Sequence, residues 1–351
     1  MINHSKKTIA IPPGVTIREQ LSDRGIKQKE FALRMALTEK HVSQLLNGKV
    51  ELTQDVALRL ESVLGVPAKF WNNLEMNYRE KLARVAAEQA MERDEEIAEK
   101  MPYAKMASLK WIPITKNIQG KVVHLRAFFE VARLGLLDSL KIPGIAYRKA
   151  GSSEAIDYTL ACWAQKARLE TRKMSVKPIN IGRLKKSIPD IRVLTVQKPE
   201  FFCGRLCEIM AGCGVALVFL PHIGGSFLHG ASFIDGNRIV IGLTVRGKYA
   251  DKFWFSMFHE ICHVIEGHIS DDGGDRIKQE SVADTFARNI LIPDDAYSDF
   301  ISRNNTSKAF IVSFAKEIGI APGILLGRLQ KDNVVRYSAY TGLKEMYEIT
   351  P

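Results

Sequence analysis

Residues 259–263 read His259-Glu260-Ile261-Cys262-His263, inside an apolar run from 253 to 265 that suits a helix. Side chains four apart share one helical face, so both imidazoles can reach one ion. Glu260 then stands beside the position such a site leaves open, where a carboxylate could take a proton from water. A catalytic zinc wants three protein ligands, so a third donor must come from elsewhere in the chain. His268 follows nine residues after His259, but the long histidine pattern needs a third histidine ten after the first and a glycine seven after. Ile269 and Glu266 hold those slots. His222 lies upstream on an expected loop at 221–224. Better placed is Glu280, seventeen residues after His263, beyond the acidic loop 271–275 and on a helix expected to run through Phe286 to Ile292. Asp284 lies one turn further along the same face, where it could orient a ligating histidine. The alternative is that Glu280 is a surface glutamate. Cys262, turned about 80° from the His259 to His263 midline, reads as packing. His222 and His229 read as loop histidines, with donation to an oxyanion as their other use.

A second constellation sits near the N-terminus. Phe31 and Ala32 on one short helix, a turn through Ala36 and Leu37, Thr38 as an N-cap, and then Val42, Leu45 and Leu46 before Asn47-Gly48 fill the slots of a helix-turn-helix. Ala32, Ala36, Val42 and Leu45 are the expected inner positions. The outer face of the second helix presents Thr38, Glu39, Lys40, Ser43 and Gln44, which have the size and polarity to reach base edges in a major groove. Gln28, opening the first helix, is placed to donate to a phosphate. The plainer alternative is a small helical bundle with an ordinary polar face.

Further residues extend both patterns. Pro12-Pro13-Gly14, Arg18-Glu19, Gln28, Val42-Ser43, Leu45 to Gly48, Leu52-Thr53, Ala57 to Leu60 and Phe70-Trp71 give 10–80 a pattern that resembles the HigA-type antitoxins of the Xre/Cro helix-turn-helix family. That resemblance implies a homodimeric binder of operator DNA, often at its own promoter, that neutralises a toxin encoded beside it. Phe70 and Trp71 are expected to pack in the core or a dimer contact.

Around the histidine pair, Val215 to Phe219, Gly230-Ala231, Phe253 to Phe255, Glu280 to Asp284, Phe286-Ala287 and Leu291 to Pro293 make 105–350 resemble the ImmA/IrrE family of metallo-endopeptidases. The resemblance implies Zn2+ at His259, His263 and Glu280, with Glu260 as general base and a helix-turn-helix repressor, an antitoxin or the chain itself as substrate. The tail at 314–330 is similar to the C-terminal helices of repressor-fused members. It also faintly echoes a second helix-turn-helix, but Arg328 stands where an apolar residue should, so it is expected to pack.

The elements that must position these residues follow from periodicity. Residues 122–137, through Val122, Leu125, Phe129, Ala132 and Leu136, and 153–169, through Ile156, Leu160, Trp163 and Ala167, carry one-sided apolar stripes and are expected to be core-facing helices. Strand-like runs occur at 191–196, 215–220 and 238–243, with another near 227–233. Cys203, Leu206, Cys207 and Met210 form a helical core stripe between the first two runs, so those cysteines read as packing. Gly224-Gly225 lacks the context of a phosphate loop.

The fold class expected is multidomain: an all-α helix-turn-helix domain at 1–80, a helical linker at 81–104 and a basic helical subdomain at 105–190. An α+β zincin-like metallopeptidase core follows at 191–303, with a helical tail at 304–351. The chain has 351 residues and a net charge of +11, concentrated at 81–214, where 24 basic residues face 14 acidic ones. The basic residues between Arg168 and Lys186 read as the solvated edge of the helices there, with a nucleic-acid surface as the alternative, because 153–190 offers only Tyr158 and Trp163 and lacks the interleaved aromatics of a stacking surface. Five cysteines, an odd number, with no secretory signal or long apolar run, suggest a reducing cytoplasm and no membrane. The leading expectation is a DNA-binding regulator with a zinc endopeptidase domain. Its rival is a non-catalytic antitoxin and autorepressor whose peptidase-like domain senses a ligand or grips a toxin.

Overall fold

The computed structural model describes residues 2–138, 158–223, 229–245, 248–269 and 275–349. The chain divides into two compact units, Met1–Glu96 and Ile97–Pro351. It is mostly helical, with some sheet. The division falls within the stretch expected as a linker, and the segments expected at 105–190, 191–303 and 304–351 share the second unit.

In the first unit a two-residue hairpin, β1 (Asn3–His4) against β2 (Ile9–Ala10), precedes α1 (Gly14–Asp23), α2 (Gln28–Arg34), α3 (Glu39–Leu46), α4 (Gln54–Leu64) and α5 (Ala68–Lys100). Helix α5 is continuous over 33 residues and its last turn crosses the division. Thr38 caps α3 by accepting from His41 N at 3.1 Å, and Thr53 caps α4 by accepting from Val56 N at 3.3 Å. Ile17, Phe31, Ala32, Val42, Leu45, Leu60 and Trp71 fill the core between the helices. Trp71 is fully buried and Phe70 is exposed. Ala36 differs from expectation: it is exposed, at φ 50°, because it makes the turn rather than the packing contact. Its short side chain suits that left-handed backbone better than a branched one would.

The second unit opens with α6 (Tyr103–Ser108), α7 (Ile118–Phe129), α8 (Tyr158–Thr171), α9 (Ile181–Val193) and α10 (Pro199–Gly212). Three strands follow, β3 (Val215–Phe219), β4 (Gly230–Asp235) and β5 (Arg238–Leu243), in the order β3-β5-β4. Strand β3 runs parallel to β5, pairing Val215 with Ile239, and β4 is antiparallel, pairing Gly230 with Leu243. The expected strand near 227–233 therefore begins at Gly230, and Phe227 and Leu228 lie outside the described residues. Helices α11 (Ala250–Ile265), α12 (Arg276–Leu291), α13 (Asp294–Ser302), α14 (Lys308–Glu317) and α15 (Pro322–Lys331) complete the unit.

Two sequence expectations are corrected. Residues 191–196 are the end of α9 and a 3-10 turn, not a strand. Here tertiary context overrides β-branched propensity. Leu184 and Ile191 bury one face of α9, and Arg192 donates to the carbonyls of Ile290, Leu291 and Ile318 at 2.7, 3.2 and 2.7 Å. Burial accordingly depresses the Arg192 pKa. The helix expected at 122–137 stops at Phe129, where Glu130 takes φ 57° and grips Arg172 at 2.6 and 2.8 Å. Leu136, expected on its core stripe, is exposed, while Leu134 and Leu137 are buried instead.

Helix α11 is the spine of this unit. Trp254, Met257, Phe258 and Ile261 are buried at helical spacing, and Phe202 of α10 meets the Trp254 ring at 4.8 Å. The Trp254 indole donates to the Tyr347 hydroxyl at 3.2 Å, drawing the C-terminal segment onto the start of α11. Helices α14 and α15 meet at 116° and both contribute to this core. Among the described residues no single helix is long and apolar enough to cross a membrane, although that bent pair would pass on length and composition. All five cysteines are free thiols. Cys162, Cys213 and Cys262 are buried, and burial pushes Cys207 up to about 11 and Cys262 up to about 12.

Candidate metal centre and helix-turn-helix head

Helices α11 and α12 lie against each other, and their facing surfaces gather one imidazole pair and two carboxylates. His259 and His263 stand one turn apart, with their Nε2 atoms 3.0 Å from each other. Glu280 places Oε2 3.2 Å from His259 Nε2 and Oε1 3.5 Å from His263 Nε2. Donor atoms of His259, His263 and Glu280 all lie within 4.8 Å of one another. Asp284, one turn along α12, holds His259 Nδ1 at 2.9 Å, leaving Nε2 to face the cluster. Two imidazoles and a carboxylate are a donor set suited to zinc, so the residues present fit that ion.

Electrostatics express the same convergence. Burial opposes charge on His259, but Asp284, Glu280 and Glu260 outweigh it and lift its pKa from 6.5 to about 9. The hydrogen bond from His259 holds Glu280 far below the ordinary carboxylate range, and His259 lowers Asp284 likewise. A raised histidine pKa stabilises the fold fully below the ordinary value and is lost as pH rises through the folded one. The chelator-treated chain is therefore expected to lose melting temperature between pH 6.5 and about 9. Asp284→Asn should flatten that fall, as thermal melts across the range would show.

Sequence reading did not place Ser232 or Lys331 at this cluster, and it weighed His268 only as a third ligand. Glu260 is 2% exposed and accepts from Ser232 Oγ at 2.8 Å. Ser232 shares a face of β4 with Gly230, and a Cβ on Gly230 would fall 2.9 Å from Glu260 Cγ, so the glycine lets the strand lie close over the carboxylate. Period-two alternation marks Ser232 and Gly230 as one face, but only the packing of β4 on α11 aims that face at Glu260. His268 places Nδ1 3.0 Å from His263 Nδ1, orienting the second imidazole as Asp284 orients the first. Lys331 of α15 lies 5.2 Å over the Phe255 ring and helps keep Asp284 ionised. Cys262 is fully buried in the body of α11. His222 and His229 are half-buried, and His229 lines a cleft beside the start of α11.

In the head, Gln28 is the exposed first residue of α2, while Glu39 and Lys40 are exposed in the first turn of α3. Ser43 and Gln44 follow on α3, half-buried. Thr38 is exposed but its hydroxyl is engaged as the cap. Arg18 donates to Asn47 Oδ1 at 2.7 Å, tying α1 to the end of α3.

A helix-turn-helix family profile matches residues 17–71. A curated Escherichia coli (strain K12) relative, described as the uncharacterized HTH-type transcriptional regulator YddM, is 35% identical over 75 residues, which make up 21% of this chain and 73% of that protein. The chain belongs to the helix-turn-helix family of transcriptional regulators. A solved structure similar to this helix-turn-helix regulator is that of an addiction module antidote protein of the HigA family from Coxiella burnetii. It is 30% identical and covers 24% of this chain and 94% of that one, with a TM-score of 0.22. These likenesses each take in about a quarter of the regulator or less. Its cluster of His259, His263 and Glu280 lies outside the matched family segment.

Proposed function

We propose that this regulator binds operator DNA as a homodimer through α3, and that its second unit is a zinc-dependent endopeptidase of the zincin-like ImmA/IrrE type. The substrate is a repressor or antitoxin protein, the chain itself included. The observation that carries the reading is the convergence of His259, His263 and Glu280, with Glu260 held one residue along α11. A zinc ion held by those three residues would supply Lewis acidity toward a carbonyl and a lowered pKa for water. Glu260 would accept the proton of the attacking water and pass it to the leaving amine. Ser232 fixes the rotamer of that carboxylate, and Asp284 and His268 fix the imidazole orientations. Strand β4 lies at the edge of the sheet beside α11, where an extended polypeptide can run past the cluster.

Metal content by mass spectrometry on the untagged full chain tests the assembly. Wild type is expected to carry about one zinc per chain, and Glu280→Ala to lose it, since removing one of three ligands breaks the set. Wild-type protein without zinc would sink the peptidase reading. A second reading, a cytoplasmic antitoxin and autorepressor without turnover, draws on the head's likeness to the antidote protein.

For the head, Gln44→Ala is expected to cost about 1–3 kcal/mol at one operator position and relax preference there, as loss of a base-edge contact does. Lys40→Ala should weaken all sequences alike and flatten the salt dependence. Gel shifts that both variants leave unchanged would move the reading face off α3.

A further inference from the structure

The two helix faces that hold the metal-ligating cluster continue past it. On α11, Phe255 and Ser256 lie one turn before His259, and on α12 Arg288 lies one turn beyond Asp284. There the faces open, with α15, into a cleft of about 350 Å³, within the range of small-ligand sites. Its apolar lining comes from Phe255, Leu291, Ile292 and Ile324. Its charges fall into two groups. Inside, Lys344 pairs with Asp251 at 2.9 Å, and Arg328 is held by Asp294 at 3.0 Å and over the Tyr297 ring at 3.7 Å. At the rim, Lys252, Arg288 and Lys331 are exposed cations, and the remaining acid of the lining, Asp332, takes the Tyr297 hydroxyl at 2.7 Å. The rim therefore presents an excess of positive charge over an apolar floor.

One further atom narrows the ligand. Asp251 Oδ1 is buried with no hydrogen-bond partner among the described residues, while its Oδ2 takes Lys344. The backbone is shaped around this group, since a Cβ on Gly327 would fall 2.2 Å from Asp251 Oδ2. A buried carboxylate oxygen without a donor calls for one. We infer that this cleft is a binding site for an N-acylated apolar amino acid with a free carboxylate. Its side chain lies on the floor, its N–H donates to Asp251 and its carboxylate meets Arg288 and Lys331. The same chemistry comes from a free small molecule or from the C-terminal residue of a polypeptide. The site does not depend on the metal reading.

The test uses the chelator-treated full chain, titrated calorimetrically with N-acetylphenylalanine and with N-acetylphenylalaninamide. The carboxylate is expected to bind about tenfold more tightly than the neutral amide, as charge-assisted hydrogen bonds do. The double variant Arg288→Ala, Lys331→Ala should erase that preference, and Arg288→Ala alone, which keeps the Lys331 contact with Phe255, should reduce it with an unchanged melting curve, because the Arg288 side chain is exposed. Equal affinities for the two probes, or a preference that survives the double variant, would overturn the site. So would binding seen only after zinc is restored, since the probe would then lie on the metal ligands. A pentapeptide ending in phenylalanine with a free carboxylate separates the sources. Competition with N-acetylphenylalanine assigns the cleft to a chain terminus, and failure to compete while N-acetylphenylalanine binds assigns it to a free ligand.

Discussion

Glu260→Gln is expected to leave zinc content at the wild-type level and to lower peptide-bond cleavage by a factor of about 100 to 10,000, the range that a positioned general base supplies. The substitution is nearly isosteric, and the Ser232 hydroxyl that now donates to Oε2 at 2.8 Å still finds an acceptor in the amide oxygen. Gly230 continues to fit over the side chain, because its shape is unchanged. What disappears is the ability to take a proton, so folding, metal content and operator binding should all survive. Cleavage of the chain itself and of denatured casein by zinc-loaded full-length protein, followed by mass spectrometry, reads the chemistry. Derepression of the operator in cells reads its consequence. Derepression in Glu260→Gln cells equal to wild type would remove catalysis from the mechanism and leave the antitoxin reading in its place.

Helix faces were the most legible feature of this sequence. The four-residue step from His259 to His263, and the step from Glu280 to Asp284, each place two side chains on one face whatever the tertiary fold, and the structure brings those two faces together. Likewise Val42 and Leu45 had to be buried once α3 formed, and they are. Contacts across elements were not legible. Ser232 and His268 touch the cluster through the docking of β4 and through the turn after α11, which no local period encodes. The run at 191–196 shows the opposite failure. Its β-branched residues satisfy a strand pattern, yet Arg192 reaches three carbonyls about 100 or more residues away in sequence, and that tertiary demand decides the conformation. Glu130 ended α7 for a similar reason, with Arg172 as its distant partner.

Gly14 is the position where the fold of the head and its reading of DNA are joined most directly. Gly14→Ala is expected to lower the head's stability by roughly 3 kcal/mol or more, at the upper end of overpacking costs, and its melting temperature by roughly 10 °C or more. A Cβ there would fall 2.1 Å from the Leu46 carbonyl oxygen and 2.5 Å from the Leu46 carbonyl carbon and Cα. Those atoms are backbone at the last turn of α3, so no rotamer change can make room. Helix α1 or α3 must move, and α3 carries Glu39, Lys40, Ser43 and Gln44. The Arg18 to Asn47 hydrogen bond, which spans the same contact, would be strained with it. Operator affinity should therefore fall further than stability alone explains, even at temperatures where the variant remains folded. Gly65→Ala supplies the contrast. It sits at φ 71° with nothing within 4 Å of an added Cβ, so it should cost about 1 kcal/mol of backbone strain and leave α3 in place. Thermal melts and gel shifts on the two variants separate a strained backbone from a displaced α3. Equal behaviour of the two would mean that α1 does not set the position of α3.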